Sequence, residues 1–503
     1  MAGETLNSHP RPLPGGEGAA RLAALMVAMG LAVACSRGSQ QPERKLALTT
    51  CRVEGLAYQS LCGTLEVFED RVAKQGRKIP LRVVVVPALA ATPEPDPLVL
   101  LAGGPGQAAS EQGSVLRMVD RIHRNRDILL VDQRGTGASR PLKCNPDSPD
   151  AGLAAKYDDA YREEEFRKCV AGYDADPRLY TTPIAMDDLD EVREALGYTK
   201  LNLWGASYGT RAALVYMRQH PERVRTAILD GVAPMSLYLP LYMPRDAQRA
   251  LDLLFEHCEK DANCAQAFPE LRPRVKALLE RMEQEPVRVT VNHPLTGVPE
   301  QITLTRRVFL QMVFGQLYSP EVAMLVPLML DRATKGDWAP FVALSQGVSG
   351  GLSNTISHGM FFSIICAEDA PFITDEAIKG AAAGTWFGEQ MVRNMLEPCT
   401  VWPRGTVPEG YREPVKSGAP TLLLSGELDP ITPPAWGEEA KKTLSNSLHV
   451  VVPGVGHNTM GLGCIQSLMA EFMKQGSLEG LKPSCGPELT RPPFFTSFAG
   501  PVP

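Results

Sequence analysis

Eight short runs rich in β-branched and aliphatic residues recur along the chain, with helical patterning between them, and no other feature narrows the fold as far. They are Thr64–Phe68, Leu81–Val86, Leu98–Leu101, Ile128–Asp132, Leu201–Trp204, Thr226–Asp230, Thr421–Ser425 and His449–Val452. Strands that alternate with helices pair in parallel, because each crossover returns the chain to the same end of the sheet. Several of these runs have no polar interruption, as strands covered on both faces require. The pattern predicts an α/β fold with a mostly parallel, doubly wound sheet of eight strands.

Between Asp230 and Thr421 the patterning changes. Residues 236–395 read mainly as helix, over Ala247–Leu254, Arg272–Met282, Thr305–Leu317, Glu321–Asp331 and Thr374–Ala383, with one β-like interruption at Val287–Val291. This is a large helical insertion between the sixth and seventh strands. A short helix around Ile465–Met473 follows the last strand, and a Pro-rich tail from Pro483 carries no regular pattern. The 503 residues fit one α/β unit with such an insertion as well as about three separate folding units. A hydrophobic share of 44% and a charged share of 21% exclude disorder as the main state. A formal charge of −6 leaves no electrostatic footprint for nucleic acid. The basic run Arg121, His123, Arg124 and Arg126 reads as one solvated helix face.

Residues 22–34, LAALMVAMGLAVA, form an apolar run behind Arg21. As a helix it reaches roughly 20 Å, too short for a hydrocarbon core of about 30 Å, so it reads as a secretory signal. It ends on Ala32, Val33, Ala34 and Cys35, which resembles a bacterial lipoprotein signal in which Cys35 is lipidated. On that reading the membrane is met only through a lipid anchor, and the protein is exported to the periplasm or cell envelope, or secreted.

The cysteine count points the same way. Setting Cys35 aside from the 11 leaves an even number. They fall into the neighbouring pairs Cys51/Cys62, Cys144/Cys169, Cys258/Cys264, Cys366/Cys399 and Cys464/Cys485. Oxidising compartments permit such staples. Sequential pairing is one connectivity among many, and a metal site is disfavoured because no two cysteines are spaced CxxC.

The strongest chemical signal is Gly205-Ala206-Ser207-Tyr208-Gly209, which follows an apolar strand and opens a helical stretch. That context is a strand–turn–helix elbow, in which two glycines allow a turn sharp enough to lift the serine hydroxyl above the sheet. A serine needs a base, and the base an orienting acid. His457 follows the eighth strand and Asp429 the seventh, so both belong at the same carboxyl edge as Ser207. Glu427 competes with Asp429 for the acid. Of the 8 histidines, His123, His220 and His257 read as surface residues at helix ends. A developing oxyanion needs backbone donors. The Tyr208 N–H supplies one, and the loop Ala102-Gly103-Gly104-Pro105-Gly106-Gln107 the other, from Gly104 or alternatively Gly103. In Asp132-Gln133-Arg134-Gly135-Thr136-Gly137-Ala138-Ser139, Asp132 and Arg134 read as structural.

Taken together, AGGPG, DQRGTGAS, GASYGT, GELDPITPP and GVGH resemble the prolyl and tripeptidyl aminopeptidase branch of the α/β-hydrolases, with a TAP-like C-terminal segment, over roughly residues 48–490. The resemblance implies a serine exopeptidase acting on the free N-terminus of peptide substrates under a helical cap. It implies Ser207, Asp429 and His457 as catalytic and Gly104 and Tyr208 as oxyanion donors. Ala102 stands where prolyl aminopeptidases usually carry histidine. The division expected is 1–35 signal, 36–235 core, 236–395 cap and 396–503 core. An aminopeptidase must also meet an ammonium group, and Glu368 in Cys366-Ala367-Glu368-Asp369 is the candidate carboxylate, its alternative being a solvated or Arg-paired side chain. No cofactor or metal motif appears. Two rival readings remain, a carboxylesterase or amidase with the same residues and a surface lipoprotein that binds without catalysis.

Overall fold

Valine and leucine runs with no polar break make strands that must be buried on both faces. The computed structural model, which describes residues 45–501 except 145–151, 159, 161, 294–295, 354, 484 and 486–488, assembles them so. The strands are β1 (Thr49–Cys51), β2 (Ser60–Phe68), β3 (Lys78–Val86), β4 (Leu98–Leu101), β5 (Ile128–Val131), β6 (Leu201–Ala206), β7 (Val224–Asp230), β8 (Val287–Asn292), β9 (Pro299–Leu304), β10 (Thr421–Gly426) and β11 (Ser447–Val452). Among the described residues, nine form one sheet in the order β1-β2-β3-β5-β4-β6-β7-β10-β11, while β8 and β9 pair separately. From β5 to β11 every pairing is parallel. The first three strands join antiparallel. All eight predicted runs are strands of this sheet, so the fold is α/β-hydrolase in type. The ninth, β1, is the polar tripeptide Thr49-Thr50-Cys51 at the edge, with no apolar run to reveal it.

Alternation along β3 shows how the core divides. Val83 and Val85 join a cluster with Leu129, Leu203, Leu189 and Val215 on one face. Val84 and Val86 point to the other face, with Leu130, Trp204, Leu424 and Phe472. The helices Thr182–Ala195 and Tyr208–Gln219 cover the first face and Gly463–Gln475 the second. Strand order reverses at β4, which lies between β5 and β6. The crevice outside the carboxyl ends of strands at such a switch point is where ligands of open α/β sheets bind.

The segment between β7 and β10 is mainly helical, with its own apolar cluster. Four of its helices are absent from the sequence reading, at Ala339–Ser353, His358–Ile364, Gln390–Leu396 and Ala262–Ala267. The first contains Gly347, Gly350 and Gly351, which weaken local helix propensity, so packing decides it. The run Glu321–Asp331 is instead two helices, Pro320–Ala323 and Val326–Thr334. Pro327, which suits only a first turn, separates them. The β-like interruption is a hairpin whose second strand, β9, is too polar to stand out.

Two surface readings are corrected. His123 is buried, with Nε2 2.8 Å from the Pro87 carbonyl. Arg126 is buried and donates through Nε to Asp96 at 2.9 Å. The Pro-rich tail packs down: Phe494 is buried in the helical segment's cluster and the Phe495 N–H donates to the Met324 carbonyl at 3.1 Å. The cysteines pair sequentially, as Cys51–Cys62, Cys144–Cys169, Cys258–Cys264, Cys366–Cys399 and Cys464–Cys485. Cys35 and the apolar run before it lie outside the described residues, among which no helix is long and apolar enough to cross a membrane.

Candidate active site

Ser207 sits between the end of β6 and the helix Tyr208–Gln219, at φ +57° and ψ −125°. Such a conformation costs a non-glycine residue roughly 1–3 kcal/mol and persists only where the surroundings enforce it. Here they do. The Ser207 N–H donates to the Asp230 carbonyl of β7 at 2.9 Å. Its own carbonyl accepts from the Thr210 N–H at 2.9 Å and the Thr210 hydroxyl at 2.6 Å. A Cβ on Gly209 would lie 1.9 Å from the Leu101 carbonyl oxygen, and one on Gly205 2.4 Å from the Gly209 carbonyl oxygen. Both glycines therefore exist for close approach, and the turn they permit leaves Ser207 half-buried at the crevice.

The loop after β4 passes directly over this turn. A Cβ on Gly103 would lie 3.3 Å from the Ser207 Cβ. Gly104 has φ +106°, which turns the chain there. The helical segment holds the loop from above: the Ser357 N–H donates to the Gly106 carbonyl at 2.9 Å, and Gln107 donates to the Thr355 hydroxyl at 3.1 Å. The Tyr208 N–H, at the first helical position, has no acceptor within its own helix.

His457 and Asp429 meet as their positions after β11 and β10 predict. His457 Nδ1 is 2.8 Å from Asp429 Oδ2, which assigns the proton to Nδ1 and leaves Nε2 an acceptor. Asp429 is buried and also accepts from the Ile431 and Thr432 N–H groups, each at 2.8 Å, and from the Thr432 hydroxyl at 2.7 Å. Burial alone would raise its pKa, but the imidazole beside it and these donors outweigh burial and hold it below the ordinary aspartate value. For His457, burial pushes the pKa down. The charge of Asp429, the hydrogen bond to it, and the charge of Asp230 prevail and hold it above the ordinary imidazole value. Glu427, the competing acid, is turned away: its Oε2 accepts the Gly454 N–H at 2.9 Å.

The helical segment also reaches the histidine. The His457 N–H donates to the Tyr318 carbonyl at 2.8 Å, and the Tyr318 ring stands edge-on to the imidazole with centroids 5.3 Å apart. Tyr318 lay in no motif, and its contact appears only when the segment folds over the sheet. Asp230 went unread as well, although an acidic residue ending an apolar parallel strand beside the nucleophile's strand was a signal.

Glu368 is not placed to meet a substrate ammonium. It has 0% exposure, and both its oxygens are engaged. Oε1 accepts the Thr182 N–H at 2.6 Å; Oε2 accepts the Thr182 hydroxyl at 2.9 Å and the Tyr411 hydroxyl. The Tyr208 hydroxyl in turn lies 2.6 Å from the Thr182 hydroxyl. Burial raises the Glu368 pKa against the pull of Arg211. Sequence placed this carboxylate near the pocket, but the fold puts it beneath the elbow, bracing Tyr208. Its neighbour Asp369 pairs with Arg211 at 2.8 Å, both fully buried, which locks the helical segment to the nucleophile helix. Asp132 and Arg134 are buried structural groups. Asp132 accepts from Ser110, and Arg134 donates to Asp188 at 2.7 Å.

A second serine, histidine and carboxylate are joined by hydrogen bonds elsewhere in the sheet. Ser425 Oγ lies 3.0 Å from His449 Nε2, and His449 Nδ1 lies 2.6 Å from Glu438. Ser425, however, sits in mid-sheet on β10, paired in register with Val451 and fully buried. Its side chain is enclosed within the sheet, so the hydrogen bonds there serve packing.

Comparison with known proteins agrees with the fold. The family model for the alpha/beta hydrolase fold matches residues 96–266, and that described as TAP-like protein matches residues 383–485. The serine protease Hip1 of Mycobacterium tuberculosis is 25% identical over 455 residues, covering 83% of this chain and 86% of that protein. The tripeptidyl aminopeptidase of Streptomyces lividans is 24% identical over 488 residues, covering 86% and 84%. A proline iminopeptidase of Neisseria meningitidis is 30% identical over 140 residues, 28% of this chain and 34% of that protein.

Proposed function

Since this chain is an α/β hydrolase with a TAP-like C-terminal segment, we propose that it is an exported serine peptidase that releases residues from the free N-terminus of peptides. The observation that carries the reading is the 2.8 Å contact of His457 with a buried Asp429, beside a serine held at φ +57°. The relatives matched over most of their length, a serine protease and a tripeptidyl aminopeptidase, support the substrate class. Five disulfides support export. Lipidation of Cys35 belongs to the same proposal.

The cycle is acyl transfer. Nε2 of His457 takes the Ser207 proton as Oγ attacks the scissile carbonyl, and the Gly104 and Tyr208 N–H groups hold the oxyanion. The imidazolium, stabilised by Asp429, gives its proton to the leaving amine as the C–N bond breaks. Water then enters, loses a proton to His457 and attacks the acyl carbonyl, and as the ester C–O bond breaks His457 returns that proton to Ser207 Oγ. The helical segment grips both the oxyanion loop and the histidine loop, so a cap over the site and its catalytic geometry are one structure.

The test compares fluorogenic Pro-, Ala- and tripeptidyl-amides with their N-acetylated forms and a short-chain ester, with Ser207→Ala as blank. Ser207-dependent cleavage confined to free-amine peptides is expected. Preference for the ester, or indifference to acetylation, would demote the reading to carboxylesterase or amidase. No reaction with a serine-directed phosphonate would leave a binding lipoprotein.

A pH dependence follows. His457 must be neutral to act as base, and its pKa is raised, so kcat/KM should climb through an acid limb whose midpoint lies above the ~6.5 of a free imidazole. Asp429→Asn removes the nearest negative charge and should move that midpoint down while lowering kcat. An acid limb at or below 6.5 in the unaltered enzyme contradicts the assignment.

A further inference from the structure

One buried carboxylate outside the Ser207–His457–Asp429 set touches the scaffolding of both its ends. Asp230 closes β7, between β6 and β10, and is fully buried. Its carbonyl takes the Ser207 N–H at 2.9 Å. Its carboxylate takes the Thr459 N–H at 2.9 Å on both oxygens, the Thr459 hydroxyl at 3.2 Å and the Met460 N–H at 3.1 Å. These donors stand two and three residues beyond His457. The next residue, Gly231, lies flush with the base: a Cβ there would come within 3.2 Å of His457 Cε1 and 3.1 Å of the Thr432 hydroxyl.

Burying a carboxylate is costly unless it is paired, and no arginine or lysine pairs with Asp230 among the described contacts. Burial raises its pKa to about 6 against these N–H and O–H donors and the His457 imidazole, the one cationic partner it has. An apolar residue would fill the space without that cost, so the charge and the four hydrogen bonds have a use.

We propose that Asp230 is a positioning residue, a single side chain and carbonyl that hold the nucleophile turn and the base's loop in mutual register and present a second negative charge to the imidazolium. This rests on the reading of Ser207, Asp429 and His457 as the catalytic set. The division of labour follows from geometry. Asp429 bonds the ring itself and sets its tautomer. Asp230 bonds the backbone that carries the ring and fixes where Nε2 stands relative to Ser207. The titratable groups around the imidazole are then Asp429 from the loop after β10, Asp230 from β7 and Tyr318 from the helical segment, and only the two aspartates carry charge at neutral pH.

The experiment uses the full mature chain. Asp230→Asn is isosteric but neutral, and its amide meets N–H donors. It should lower kcat/KM by on the order of 10²-fold, the loss expected of a displacement of about 1 Å at the reacting groups. KM should stay within about twofold and the acid-limb midpoint should move down. NMR titration of the His457 imidazole in a Ser207→Ala background should shift the same way, a readout that packing alone does not move and that does not depend on which residue is the nucleophile. Thr459→Ala, which removes one donor and threatens the fold less, should lose several-fold in kcat, and Thr459→Ser should restore it. A folded Asp230→Asn with unchanged kcat/KM and unchanged His457 titration overturns the proposal. If that variant does not fold, Thr459→Ala at the original rate overturns it. Activity surviving in Ser207→Ala would instead sink the catalytic set and leave the His457 titration as the measure of Asp230.

Discussion

Ser207→Ala should lower kcat/KM for a free-amine peptide amide by about 10⁴–10⁶-fold, the scale seen when an acyl-transfer nucleophile is removed, whereas Ser425→Ala should leave it within about twofold. The contrast matters because Ser425 is hydrogen-bonded to an imidazole that meets a carboxylate, whereas Ser207 is an elbow serine at the sheet edge where the His457–Asp429 pair lies. What separates them is the backbone. Ser207 stands at a positive φ at a strand–helix junction, with a glycine loop against its Cβ and the Tyr208 N–H at the first helical position beside it. Ser425 is an ordinary strand residue, paired in register with Val451 and fully buried. Steady-state rates of the two variants, with labelling by a serine-directed phosphonate, decide the matter. A large loss in Ser425→Ala would mean that the sheet interior, not the elbow, carries the chemistry.

The second large effect is on stability. Gly209→Ala should destabilise the protein by about 3–5 kcal/mol, the scale of the severest point mutations, or remove it from the soluble fraction. The new methyl would meet the Leu101 carbonyl at 1.9 Å, the Leu101 carbonyl carbon at 2.7 Å and the Ala102 carbonyl oxygen at 2.9 Å. All three are backbone atoms at the end of β4, so no side chain can swing aside. Relief requires moving the nucleophile helix off the sheet or tilting the loop that adjoins Ser207. Urea unfolding followed by tryptophan fluorescence measures the loss. Gly172→Ala, with open space around its Cβ, serves as the control and should be neutral or slightly stabilising. A Gly209→Ala protein as stable as the original would show that the close packing at the elbow is dispensable.

The strands were legible because burial on both faces demands runs without a polar break, and that demand is written locally. The same holds for Gly205, Ser207 and Gly209, whose spacing is set by one turn, and for Asp429 and His457, each placed by the strand before it. The cysteine pairs follow proximity in the chain, a connectivity that the sequence left open among many. What escaped was whatever depends on partners distant in sequence. The helix Ala339–Ser353 forms despite its glycines because it packs on its neighbours. His123 and Arg126 look solvated until Pro87 and Asp96 fold against them. Tyr318 is an unremarked aromatic until its carbonyl receives the His457 N–H, 139 positions away by number.

Glu368 shows the boundary between the two kinds of information most sharply. Residue order alone puts an acidic pair beside Cys366, in the helical segment, near where the chain returns to the core. It could not say which way those carboxylates would point. That was decided by tertiary structure: Thr182, Tyr411 and Arg211 arrive from elements far apart in the chain and together satisfy a charge pair that water no longer reaches. A residue type and its spacing specify what chemistry is available. Whether the group faces substrate or braces the scaffold depends on which donors surround it, and those are brought together only by packing, because an unpartnered buried carboxylate is too costly to persist.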